Sequence, residues 1–137
     1  MIILSVCEKS VVTILKVLAL TAILLTGHVL ADEKKRQSEF ITLGTNSGPV
    51  PNPDRAEASN VLKSGKTTIV IDAGDGVAWQ LAKAGVSLGE VQTVFLSHLH
   101  FDHTGGLFAL LSQRFQINYP GVVTIYGPEG TKQTVDG

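Results

Sequence analysis

Cysteine is nearly missing from this 137-residue chain: its one example, Cys7, lies close to the start. Without a second thiol there is no disulfide framework, and the body of the chain carries no thiol chemistry. That composition suits an oxidising exterior. An excess of positive charge is also missing, since eleven Lys and Arg stand against twelve Asp and Glu for a formal net charge of −1. Residues 1–31 hold Glu8, Lys9 and Lys16, so the remainder is near −2. The basic cluster Lys34-Lys35-Arg36 reads as a solvated terminal run, and no nucleic-acid partner is expected. A membrane-length apolar run is lacking too. Val17 to Leu25 falls short of the roughly 18–20 residues a span requires. Beginning at Val11 would bury Lys16 at a cost of about 2.5–3.5 kcal/mol.

What stands there instead reads as a secretory signal peptide over residues 1–31. Lys9 and Lys16 precede the apolar run, and Val29 and Ala31 place small residues before a cut between Ala31 and Asp32. The expectation is an exported chain, periplasmic or secreted, with no stable membrane anchor after cleavage. Residues 32–39 would form a charged mature N-terminus and residues 40–137 a folded domain.

Histidine is scarce but concentrated. Three of the four histidines fall in Ser97-His98-Leu99-His100-Phe101-Asp102-His103-Thr104-Gly105-Gly106, beside an aspartate; His28 lies in the leader. Imidazole and carboxylate together suit zinc and other first-row divalent ions. His98 and His100, two apart at a strand end, project to one side and can share an ion. If the backbone turns after Phe101, Asp102 and His103 can face a second ion at the roughly 3.5–4 Å spacing of two-metal hydrolytic sites.

Around this cluster, strands and helices alternate. Phe40 to Leu43 reads as a strand that runs into a loop rich in Gly and Pro. Ser59–Lys63 and Thr67–Ile71 read as a hairpin with Gly65 in its turn. Val77 to Ala84 has helical spacing with Gly85 as its stop, and Trp79 is expected to pack. A helical turn at Ser87–Val91 precedes a buried strand from Val91 to Ser97. Leu107, Leu110 and Leu111, with Phe108 and Phe115, read as one apolar helix face, and Val122–Tyr126 as a last strand. The pattern is that of an α/β layered sheet, in which sites lie at the carboxyl ends of strands. Asp72 and the histidine cluster both occupy such ends.

With these residues in view, His98-Leu-His-Phe-Asp-His103 matches the H-x-H-x-D-H motif, and the chain resembles the N-terminal half of a metallo-β-lactamase-fold hydrolase. Phe40-Ile-Thr-Leu-Gly-Thr45, Gly48 to Arg55, Ile69 to Gly74 and Ile125 to Gly130 are similar to the ribonuclease Z and arylsulfatase-like branch. The resemblance implies a truncated four-layer αββα fold. It implies that His98 and His100 bind a first Zn2+ and that Asp102 and His103 bind a second. It further implies that Asp102 orients water or accepts its proton, and that Asp72 supports the ligands by hydrogen bonds. Expected substrates are small-molecule phosphodiesters or sulfate esters, with lactones or β-lactams as the alternative. Members of this family carry a later histidine, a bridging aspartate and a final histidine in their second half, and these are not found here. The expectation is that the chain needs a complementary C-terminal half or a homodimer, or is an inactive, weakly metal-binding fragment.

Overall fold

The computed structural model describes residues 13–23 and 37–136. Two compact units divide at Gln37. In the first, residues 13–23 form helix α1, whose side chains are exposed. No described helix is long and apolar enough to cross a membrane. The predicted cut after Ala31, Cys7, His28 and the Lys34–Arg36 cluster lie outside the described residues.

The second unit is a five-stranded mixed sheet in the order β1 (Ser38–Gly44), β2 (Ser59–Ser64), β3 (Thr67–Ala73), β4 (Val91–Phe95), β5 (Thr124–Tyr126). The first three strands are antiparallel neighbours, and β3–β4 and β4–β5 are parallel. Gly65, with φ 59°, takes the first position of the two-residue turn joining β2 to β3, where a right-twisted hairpin demands positive φ. Parallel pairing requires a crossover. Helix α2 (Val77–Lys83) leads from β3 to β4, and α3 (Phe101–Thr104) and α4 (Leu107–Gln116) lead from β4 to β5. α2 ends on paired bonds from Gly85 N–H to the Ala82 carbonyl (3.1 Å) and Val86 N–H to the Leu81 carbonyl (2.9 Å). A final helix, α5 (Thr131–Asp136), was not foreseen in the sequence.

The core lies between one sheet face and α2 and α4. Val61, Val70 and Val94 on the strands meet Val77, Leu81, Leu107 and Leu110 on the helices. Leu81 and Leu110 are fully buried, each contributing about 1.5–3 kcal/mol of apolar transfer energy. Two sequence expectations are corrected here. Trp79 does not pack: it is 68% exposed, because it is two residues, or about 200°, round the helix from buried Val77. Phe108 and Phe115 are 82% and 86% exposed. Seven apart, they share their own side of α4, whereas Leu107, Leu110 and Arg114 line the side that is buried. Arg114 uses that burial to donate to the Leu88 carbonyl.

The other sheet face mixes apolar residues with threonines and has no covering layer among the described residues. Phe40, Leu62 and Ile69 stand in one cross-strand row, and Ile71, Phe95 and Tyr126 in the next. Phe95 and Tyr126 stack with ring centroids 4.9 Å apart. Phe40, Phe95 and Tyr126 are all exposed.

The entry to β4 is fixed by a capped turn, Leu88–Glu90. Ser87 Oγ accepts from Gly89 N–H, Glu90 Oε1 accepts from Ser87 N–H, and Lys63 Nζ donates to Glu90 Oε2 at 2.8 Å. The Lys63 ammonium first, and the Ser87 amide second, hold the Glu90 carboxyl below its ordinary value of 4.5. A folded-state pKa below the unfolded one stabilises above the ordinary value and ceases to do so as pH falls through the folded one. Glu90→Gln should therefore be modestly destabilised at neutral pH, with the deficit closing in urea melts as pH falls below the ordinary carboxyl range.

Candidate metal centre

The strand ends bring Asp72 and the histidine cluster together. β3 and β4 are parallel neighbours, with Ile71 opposite Phe95, so the residues just after each emerge side by side. Asp72 is an extra residue in β3: Ser59 faces Ala73 and Asn60 faces Ile71, leaving Asp72 unpaired in a bulge with φ 59°. A left-handed φ is uncommon outside glycine but tolerated by Asp, and such bulges re-aim side chains beside functional sites. Here the bulge aims a buried carboxylate at the start of the motif. Asp72 Oδ1 accepts from Ser97 N–H at 2.7 Å, and Oδ2 lies 2.8 Å from both Ser97 Oγ and His103 Nδ1.

This network sets the histidine tautomers. A carboxylate only accepts, so His103 carries its proton on Nδ1 and leaves Nε2 with a free lone pair. Ser97 gives its hydroxyl proton to Asp72 and can accept one from His98 Nδ1, 3.0 Å away, which frees Nε2 of His98 in the same way. One carboxylate thus prepares two imidazoles.

All four expected ligands are gathered. His98, His100 and Asp102 offer ligand atoms within 4.8 Å of one another. His103 Nε2 lies 3.6 Å from Asp102 Oδ2, and the His98 and His103 rings are 4.0 Å apart between centroids. Asp102 therefore stands close to both histidine groups rather than to His103 alone. Two imidazoles and a carboxylate are a zinc-type donor set, and three protein ligands with an open fourth position are the catalytic pattern. The residues present fit a divalent cation.

Two contributors escaped the sequence reading. Ser97 was visible only as the last residue of a strand. Gly48, in the Gly/Pro loop, donates its N–H to Asp102 Oδ2 at 2.8 Å from 54 residues away. That bond is the main reason the Asp102 carboxyl lies below its ordinary range. Behind the cluster, Gly106 N–H donates to the Ala73 carbonyl at 2.8 Å, tying the motif to the end of β3.

Comparison with known proteins agrees with this geometry. The chain is 38% identical over 101 residues to a ribonuclease Z of Mycobacterium marinum, covering 72% of this chain and 36% of that protein. It is 37% identical over 101 residues to a ribonuclease Z of Mycobacterium bovis, with the same coverage. The human tRNase Z short form superposes with a TM-score of 0.64 at 31% identity, over 72% of this chain and 37% of that one. The long-form RNase Z from yeast gives 0.63 at 25% identity, over 76% and 16%. The chain thus spans little more than a third of the length of the curated relatives it matches. The sequence model of the metallo-beta-lactamase superfamily matches residues 53–130, a stretch that holds the bulged aspartate and every histidine of the cluster. On that match and the shared fold, the chain belongs to the metallo-β-lactamase superfamily.

Proposed function

We propose that this chain supplies the motif-bearing half of a metal-dependent hydrolase centre that takes zinc and acts on phosphodiesters. The observation that carries the reading is the Asp72 network, which leaves ligand lone pairs on two histidines beside a third histidine and a carboxylate. Such orientation is wasted on a solvated turn. His98, His100, Asp102 and His103 would hold the metal, in one or two sites. A bound divalent ion supplies Lewis acidity and activates water near neutral pH.

The protein's own contribution is orientation. Ser97 and Asp72 fix the imidazoles, and Gly48 fixes Asp102. The Gly48 N–H donates to one Asp102 carboxylate oxygen and holds the group in place as an anionic ligand. We therefore favour its ligand role over its role as a base. Between phosphodiesters and sulfate esters, similarity to ribonuclease Z favours the former. It also turns our reading towards a nucleic-acid substrate, against what the lack of basic clusters suggested. Export remains part of the proposal on the strength of residues 1–31. Mass spectrometry of the exported protein should find Asp32 at its start, and a retained leader would overturn it.

Zinc titration of the full chain by calorimetry tests the centre. At least one equivalent should bind, and His98→Ala and His100→Ala should each abolish stoichiometric binding. Failure of the unaltered chain to bind zinc would sink the reading. Hydrolysis of bis(p-nitrophenyl) phosphate, compared with p-nitrophenyl sulfate and a lactone, separates the substrate classes.

The exposed, partly apolar sheet face favours a second reading, in which the chain works only against a second copy or a complementary segment. Light scattering that shows a cooperatively melting monomer would count against it.

A further inference from the structure

Trp79 is the sole tryptophan of the chain, and it stands 68% exposed on α2. It borders a cleft of about 240 Å³ between α2 and the loop Pro51–Glu57. Lys83, one turn further along α2, holds its Nζ 6.0 Å from the indole centroid, and Arg55 lines the opposite wall. Asp54, Glu57 and Asp75 line the cleft as well. Glu57 accepts from Asp75 N–H, and Asp75 accepts from Gly76 N–H. Three carboxylates against two cations leave no positive field to draw a polyanion in, so the ring is the feature that selects a ligand. With Lys83 over one face of the exposed indole, its other face suits a planar base and the ammonium a neighbouring anion.

The cleft is tied to the metal centre through the backbone of its walls. The Pro51–Glu57 wall follows Gly48 by three residues, and Gly48 holds Asp102. Asp75 and Gly76, which also line the cleft, follow Gly74, where an added Cβ would meet the Asp102 carbonyl oxygen. Resting on the phosphodiester reading above, we propose that Trp79 is a stacking platform for a nucleobase of a single-stranded nucleic-acid substrate, with Lys83 contacting the adjoining phosphate. Duplex DNA or RNA hides its base faces and does not fit.

The test uses the full chain with EDTA present, so that binding is read apart from catalysis. Being the only tryptophan, Trp79 reports directly: an unlabelled uridine octamer should quench its emission saturably. Anisotropy of a fluorescein-labelled octamer should show Trp79→Ala weakening binding about tenfold, and Trp79→Phe, which keeps a ring, staying within about threefold. Lys83→Ala should lower the salt slope by about one. Zinc affinity should be unchanged in Trp79→Ala. An octamer that binds without quenching, a Trp79→Ala chain that binds as well as the parent, or tighter binding of a duplex would each overturn the proposal. Zinc binding without quenching removes the stacking platform and leaves the hydrolase reading; quenching without zinc binding removes the hydrolase reading and leaves the oligonucleotide site.

Discussion

Asp72→Asn is expected to lower zinc affinity at the 98–103 cluster by about 10- to 100-fold while the fold survives. Asparagine tolerates the left-handed φ of 59° at this position, so the backbone has no reason to move. The loss arises in the hydrogen bonds. Three donors converge on the carboxylate, from Ser97 N–H, Ser97 Oγ and His103 Nδ1. An amide can accept at one end only. If its NH2 replaces Oδ2, His103 must turn Nδ1 into an acceptor and carry its proton on Nε2, where the metal should bind. If its NH2 replaces Oδ1, two N–H donors collide at the end of β4. Competition with a chromogenic chelator measures the affinity, and circular dichroism checks the fold. An affinity equal to that of the parent would show that the imidazoles hold their orientation without the carboxylate.

Gly74→Ala is expected to cost about 3 kcal/mol, at the upper end of ordinary overpacking penalties. A Cβ at this position would lie 2.3 Å from the Asp102 carbonyl oxygen, 2.7 Å from Glu57 Cβ and 2.9 Å from the Ala58 carbonyl oxygen. Two of those neighbours are backbone in separate segments, so no single side chain can swing aside. For a unit of about 100 residues the penalty corresponds to a fall of about 12–24 °C in Tm. Zinc affinity should fall with it, because the Asp102 carbonyl is the first atom displaced. A Tm within about 2 °C of the parent would show that the β3–α2 turn yields freely.

Much of this was open to inspection in the chain. β-branched runs marked β3 and β4, the Gly65 turn marked the hairpin, and the spacing of His98, His100, Asp102 and His103 marked the centre. These are local signals, written within a few residues. What stayed hidden depends on contacts across the sequence. Gly48 reads as loop punctuation until the loop folds back on Asp102. Ser97 reads as a strand end until the Asp72 bulge turns a carboxylate towards it. The differences have another origin: apolar character alone places Trp79, Phe108 and Phe115 in the packing, and angular position places them outside it. At 100° per residue, Trp79 falls opposite Val77, and the two phenylalanines fall beside the Leu107–Leu110 face rather than on it.

The bulge at Asp72 has a counterpart. On the other side of β2, Thr42 pairs with Asn60 and Gly44 with Ser59, so Leu43 is also an extra residue opposite the same dipeptide. Ser59–Asn60 is therefore gripped by an irregularity from each flank, and sliding β2 by one residue would misplace both at once. Alternative alignments of the sheet are penalised twice during folding. The aim of the carboxylate is thereby inherited from strand pairing. Lengthening the loop after Gly48 should disturb Asp102 well before it disturbs Asp72, which makes the aspartate a fixed reference from which new specificities can be engineered.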